Sequence, residues 1–218
     1  MDPSQIAGLI GEATWQTLFM VVVSTFFAIV VGLPLGVIVH VTSRVGLAPN
    51  RTVNRILGLI IDIGRSLPFI ILMVLVIPLT RLMVGTSIGS GAAIVPLSLS
   101  AAPLFARLVE TSLREVAPGK LDAGTVMGAS NFQLVRHVLL PESMPGLVAA
   151  ATTTFVSLIG YSAMAGAIGG GGLGDVAIRY GYQRYNIQVL IWTVIVLIVL
   201  TMLVQFLGDR LSRALAQR

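Results

Sequence analysis

Five apolar runs constrain this chain more than any other feature: Thr17 to Val39, Ile56 to Met83, Ile88 to Phe105, Gly146 to Ala167 and Ile187 to Leu207. A helix needs about 20 mostly apolar residues to cross the hydrocarbon core of a bilayer. With five such runs in 218 residues, little chain remains for a soluble domain. Only 11% of the residues are charged, where a soluble domain carries roughly a quarter. The expected fold class is therefore all-α, a polytopic membrane protein with five transmembrane helices. It forms a single domain over residues 1–218, with a core over about 13–208. The second run is the least regular, because Asp62, Arg65, Pro68, Pro78 and Arg81 interrupt it. It allows two registers, from near Ile56 or near Leu67, and the favoured reading is one kinked helix with a polar start.

Five spans put the termini on opposite sides, and the Lys/Arg distribution selects the orientation. With the C-terminus inside, ten basic residues face the cytoplasm: Arg44, Arg51, Arg55, Arg107, Arg114, Lys120, Arg136, Arg210, Arg213 and Arg218. Only Arg81, Arg179 and Arg184 then lie outside, so the N-terminus is expected outside. Trp15 and Trp192 fall near the outer interface, which suits amphipathic rings. Met1 to Ala13 has Asp2 and Glu12 but no Lys or Arg, unlike a cleaved signal peptide, and the first span is expected to stay in the mature protein.

Several kinds of chemistry are disfavoured. The net charge of +5 belongs in cytoplasmic loops rather than on nucleic acid. Without cysteine there is no disulfide framework, thiolate metal site or Cys nucleophile. His40 and His137 lack metal-ligand spacing, so no metal is expected, and no Gly-x-Ser-x-Gly elbow supports serine catalysis. No catalytic residue is assigned. Gly169, Gly171 and Gly174 satisfy Gly-x-Gly-x-x-Gly, but they follow a span rather than a strand, and no Gly-Lys-Ser/Thr occurs. Ala165 to Gly174 reads instead as an outer hinge or re-entrant turn, or equally as a flexible loop.

Within the spans, Gly32 and Gly36 flank Pro34 at a spacing that admits a close helix, inside the subunit more readily than across a dimer. Asp62 and Arg65, three apart on one helical face, form a possible intramembrane charge pair; snorkelling and structural pairing compete with a pathway role. The fourth span holds Thr152, Thr153, Thr154, Ser157, Tyr161, Ser162 and Met164. Interhelical hydrogen bonding is the plainer reading of this polar stretch. The functional reading puts Tyr161, Ser162 and Met164 on a face lining a path through the membrane, where an aromatic ring and a thioether suit contact with an apolar or sulfur-bearing solute.

The loop between the third and fourth spans, Arg107 to Pro145, has about 40 residues, too many for a bilayer turn and too few for a domain. It reads as two short helices. Pro118 suits a first helical position, Asp122 lies near that positive end, and Gly128 suits a stop. Ser130 with Gln133 forms a capping box, Phe132, Val135, Val138 and Leu139 follow at helical spacing, and Pro141 ends the second helix. Ala123, Gly124 and Gly128 leave a patch almost bare of side chains, where another protein could approach, although a solvated hairpin with incidental glycines has the same pattern. Gly124 costs its helix about 1 kcal/mol relative to Ala.

The run Asp122-Ala123-Gly124-x-x-x-Gly128, then nine residues, then Val138-x-Leu140-Pro141 resembles the "EAA" loop of the membrane subunits of bacterial ATP-binding-cassette importers. It departs from that pattern at Asp122, where Glu is usual, and at Gly124, where Ala is usual. Nearly the whole chain is similar to the compact permeases of methionine importers, through Arg65 to Leu72, Gly85 to Gly89, Ala92 to Pro96, Gly160 to Met164, Gly170 to Gly174 and Gln205 to Arg210. The resemblance implies the type I importer permease fold and import of an amino acid, L- and D-methionine in the first place, by alternating access across the bacterial inner membrane. It implies a homodimer, with two ATPase subunits seated on the coupling helices and a periplasmic or lipid-anchored substrate-binding protein above. ATP would sit on the partner subunit, with no cofactor on this chain, in keeping with the missing phosphate-binding loop. Related permeases for other amino acids share the loop. An ion-coupled transporter would need paired inverted repeats and a midplane charge, for which only Asp62 and Arg65 offer a hint.

Overall fold

The computed structural model describes residues 2–216, so Met1 and Arg218, the latter one of the ten inner charges, lie outside the described residues. Among those described, four single helices are long and apolar enough to cross a bilayer, and a bent pair brings the number to five when counted as one span. The first, α1 (Pro3–Val41), has 39 residues, starts well before the apolar run and measures about 58 Å. Its N-terminal end is held by apolar contact: Ile6 and Ala13 pack with Leu173, Val176 and Val189 from the last third of the chain.

The second span departs from the expected single kinked helix. α2 (Arg51–Ser66) and α3 (Phe69–Leu75) meet at 103°. Pro68 has no N–H to continue the ladder, and the residue before a proline is driven out of the helical region; Leu67 accordingly has ψ 125°. A further break at Val76 starts α4 (Ile77–Val84), which stops at Gly85 with φ +81°.

α5 (Ser90–Arg114) runs past the expected end at Phe105, so Arg107, Glu110 and Arg114 stand on a helix rather than in a loop. It packs along α1 through Gly32 and Gly36. A Cβ at Gly36 would lie 2.5 Å from the Ala106 carbonyl oxygen, and one at Gly32 2.8 Å from that of Ala102. The Gly-x-x-x-Gly spacing thus serves packing inside the subunit.

α6 (Pro118–Val126) and α7 (Asn131–Leu134) follow. The expected stop at Pro141 does not occur, because a π-helical segment, Val135–Leu139, joins α7 to α8 (Leu140–Ala167) in one continuous rod of 37 residues. Leu140 N–H reaches back five residues to the Val135 carbonyl, and this wider turn carries Pro141 through without the usual clash. After α8 the glycine-rich segment re-enters as α9 (Gly172–Val176), followed by a second π-helical segment, Ala177–Tyr182, and α10 (Ile187–Ala216).

The glycine-rich segment is mostly packed, with Ala167 and Ile168 exposed. Gly169 and Gly171 adopt φ +90° and +75°, which L side chains rarely take. Two donors of α9 are capped from α1: Gly172 N–H donates to Gln16 Oε1 and Leu173 N–H to Thr17 Oγ1, both at 2.9 Å. Trp15 and Trp192 are exposed, on α1 and α10.

Candidate functional site: the hairpin between the third and fourth spans

Local chemistry builds this hairpin. Pro118 opens α6. Its end is a Schellman turn: Gly128 takes φ +82°, its N–H donates to the Thr125 carbonyl, and Ala129 N–H donates to the Gly124 carbonyl at 3.1 Å. Ser130 then starts α7, with Ser130 N–H donating to Gln133 Oε1 at 2.8 Å and Gln133 N–H to Ser130 Oγ at 3.4 Å.

Leu134 and Leu139 are buried, and Val116, Leu121, Val135 and Leu140 pack against the cluster of Phe105, Val109, Leu113 and Leu147. Val138 is half-buried, while Pro141, Asp122 and Ala123 are exposed. Two polar contacts fix the hairpin to the body: Lys120 pairs with Glu142 on the first turn of α8, and Asn131 Nδ2 donates to the Leu47 carbonyl at 3.1 Å.

One expectation is corrected at a single residue. Gly124 faces inward, where a Cβ would meet Leu134 Cδ2 at 2.5 Å, while Ala123 and Gly128 remain exposed. The glycine lets α6 and α7 close on each other. Among its exposed residues three are large and apolar: Val126 is 88% exposed, Met127 82% and Phe132 70%. The sequence pattern groups Phe132 with Val135, Val138 and Leu139 at helical spacing and gives Val126 and Met127 no role. The available signal was Val126-Met127 directly before a helix-ending glycine, in a loop otherwise rich in polar residues.

The possible charge pair of Asp62 and Arg65 is not formed. Asp62 Oδ1 instead accepts from Arg107 on α5 at 2.5 Å, and Arg107 also binds Glu110 at 2.5 Å. Arg114 takes the other Glu110 oxygen, so a carboxylate only 2% exposed lies between two guanidinium groups. Arg65 is exposed, with no ion-pair partner among the described residues. Packing selects the distant partner: Gly64 lies so close to Pro103 that a Cβ would be 2.6 Å from Pro103 Cγ, which brings α2 against the face bearing Arg107. Arg107, Glu110 and Arg114, at one helical face's spacing, were readable but were assigned to a loop.

The three pathway candidates on α8 point in different directions. Tyr161 stacks on Phe69 of α3 at 5.0 Å between centroids and an interplanar angle of 5°. Ser162 is buried and donates to the Ile159 carbonyl at 2.7 Å, turned into the subunit. Met164 is exposed on an uncovered face shared with Thr153 and Gly160. The expected interhelical hydrogen bonds do not form here: the hydroxyls of Thr152, Thr153, Thr154 and Ser157 each donate to a carbonyl four residues back on their own helix. His137 is exposed and His40 half-buried, and no group of three or more potential metal ligands gathers among the described residues.

The hairpin thus exposes Val126, Met127 and Phe132 and is continuous with a helix long and apolar enough to cross a bilayer. The comparisons agree in class. The family model described as the binding-protein-dependent transport system inner membrane component matches residues 32–218. A probable D-methionine transport system permease protein of Vibrio cholerae is 51% identical over 210 residues, covering 96% of this chain and 93% of that one. The D-methionine transport system permease protein of Escherichia coli K12 is 52% identical over 158 residues, covering 72% and 73%. Among solved structures, a chain of the inward-facing MetNI methionine ABC transporter is 49% identical, with a TM-score of 0.96 over 99% of both chains. An amino acid ABC transporter shares the fold at 19% identity and a TM-score of 0.76. This chain belongs to the family of binding-protein-dependent transport system inner-membrane components.

Proposed function

We propose that this chain is the permease subunit of an ATP-driven methionine importer, taking the L and D forms. The observation that carries the reading is about half identity, over 96% of the chain, with a relative named as a D-methionine permease. Two copies of the chain form the pathway. Two ATPase subunits lie on the cytoplasmic side and a periplasmic or lipid-anchored binding protein on the other, with the N-terminus outside. ATP is bound by the ATPase subunits, and this chain needs no cofactor of its own.

The hairpin from Asp122 to Pro141 couples the two kinds of subunit. Val126, Met127 and Phe132 seat in an apolar cleft of the ATPase, with Asp122 and Ala123 beside them. Closure of the ATPase pair pulls on the hairpin, and the unbroken rod from Asn131 to Ala167 carries the displacement to the α8 face that holds Gly160 and Met164. The permease pair thereby shifts toward its outward-facing state. Met164 and, once its stack on Phe69 parts, Tyr161 contact the passing thioether.

The test is ATP-dependent uptake of labelled methionine by the chain reconstituted with its ATPase and binding protein, against competing amino acids. Block by excess L- or D-methionine supports the reading, and stronger block by another amino acid overturns the substrate. Phe132→Asp is expected to weaken ATPase association about thirtyfold without lowering the thermal stability of the isolated chain. Unchanged association would remove the hairpin's role.

A further inference from the structure

The segment joining α1 to α2 gathers three arginines without a counter-ion. Arg44 lies in the connection, and Arg51 and Arg55 lie one turn apart at the start of α2. All three are exposed and none has an ion-pair partner among the described residues. The sequence offers none nearby either, since no Asp or Glu occurs between Glu12 and Asp62. Two like charges at i and i+4 repel each other, and the positive end of a helix raises the cost. These arginines, with Thr42, Pro49 and Asn54, line a cavity of about 620 Å³, a size suited to a small polar group.

The walls of the cavity are held in place. Asn54 Nδ2 donates to the Val39 carbonyl at 2.7 Å, fixing α2 to the end of α1. Asn50 Oδ1 accepts from Val53 N–H at 3.1 Å and caps α2. Immediately beyond the cavity, α2 presents Ile56, Leu59, Ile60 and Ile63, each more than half exposed and covered by no other element of this chain. A concentrated positive site thus passes within one turn into an apolar stripe, on the side of the membrane that the Lys/Arg distribution makes cytoplasmic. An amphiphile with an anionic head and acyl chains matches both halves.

We infer that Arg44, Arg51 and Arg55 form a binding site for the headgroup phosphate of an anionic glycerophospholipid of the cytoplasmic leaflet, whose acyl chains lie along Ile56, Leu59, Ile60 and Ile63. The phosphodiester supplies the counter-charge that the protein lacks. A zwitterionic lipid serves less well because its ammonium group faces the same arginines. The connection that carries Arg44 also reaches the coupling hairpin, since its Leu47 carbonyl accepts the hydrogen bond from Asn131 at the start of α7. Lipid occupancy therefore stiffens the contact through which the hairpin leans on the body. The inference rests on the cytoplasmic placement proposed above.

The probe is phosphatidylglycerol, exchanged against phosphatidylcholine in nanodiscs holding the full chain with its ATPase, and read by native mass spectrometry as lipid retained per chain. Each Arg→Gln change at 44, 51 or 55 is expected to weaken retention about fivefold, and Arg51→Gln with Arg55→Gln roughly thirtyfold. The Arg51→Lys, Arg55→Lys chain keeps most of it, and Arg213→Gln, a control at the other cytoplasmic end, leaves it unchanged. If the double Gln variant does not fold, Arg44→Gln and the Lys pair carry the comparison. No preference for phosphatidylglycerol in the unmodified protein overturns the inference. Displacement by inorganic phosphate as effective as by lipid makes it a free-anion site and also overturns it, as does loss of ATPase association with lipid retention unchanged. Orientation is tested separately by Val45→Cys, the only thiol in such a chain: labelling from the outside would overturn the placement, whereas cytoplasmic labelling with no lipid preference overturns the lipid site alone.

Discussion

The two ends of α8 are built by opposite means. At its C-terminal end the chain folds back so tightly that backbone meets backbone: a Cβ at Gly174 would be 2.3 Å from the Ala163 carbonyl oxygen, and one at Gly166 2.3 Å from the Asp175 nitrogen. At its N-terminal end the hairpin closes on side chains, with Leu134 under Gly124, Lys120 against Glu142 and Asn131 on Leu47. Rotamers can hop, but a backbone pressed on backbone has one arrangement. The C-terminal end is thus made to stay fixed, whereas the N-terminal end, held by side chains, is the one that can be repositioned.

The hardest test of that contrast is Gly174→Val. No flexible end can give way, so the cost exceeds the ~1–3 kcal/mol usual for overpacking, and the variant is expected to yield no monodisperse protein after extraction. A well-behaved size-exclusion peak with unchanged melting would mean that the glycine-rich turn is looser than its geometry.

Next in size is Glu110→Gln, which probes the charge cluster just above the hairpin. Breaking a fully buried pair costs about 3–5 kcal/mol. Here Arg107 keeps Asp62 and Arg114 is 62% exposed, so about 2 kcal/mol of unfolding free energy should be lost. Asp62→Asn, at an exposed carboxylate, should cost less. If the two variants melt alike, the cluster acts as one surface network and the buried position of Glu110 matters little.

These examples also show what could be read without coordinates. The caps at Pro118, Gly128 and Ser130 with Gln133 were legible because each depends on residues within one turn. The spans were legible because the hydrocarbon core demands their length. The 103° bend was only half legible: Pro68 marks the place, but its angle is set by Gly64 against Pro103 and Asp62 against Arg107, residues distant in sequence. Pro141 misled because a π-helical turn supplies room that no local rule announces. Gly124 misled because a small residue marks a close approach without saying from which side.

That last ambiguity makes Gly124→Ala informative. The added methyl meets only Leu134 Cδ2, the end of a flexible chain, and the helix gains about 1 kcal/mol from losing a glycine. The net change in unfolding free energy should stay within about 1 kcal/mol, with ATPase association intact. Lost association at unchanged stability would return Gly124 to the partner-facing role that the loop pattern suggests.

The smallest effect is expected from Lys120→Met, which removes the ion pair between α6 and α8. With side chains 52% and 41% exposed, the pair is open to water and salt, and such contacts contribute about 0.5 kcal/mol or less. The hairpin would then rest on Leu134, Leu139 and their apolar neighbours, which slide more easily than a buried ion pair could break. Denaturant unfolding at low and high salt reads this directly: equal midpoints for the two chains fit a side-chain hinge. A loss above about 1 kcal/mol that disappears in high salt would show the hairpin to be latched by charge, and the contrast between the two ends of α8 would no longer be one of fixed against movable.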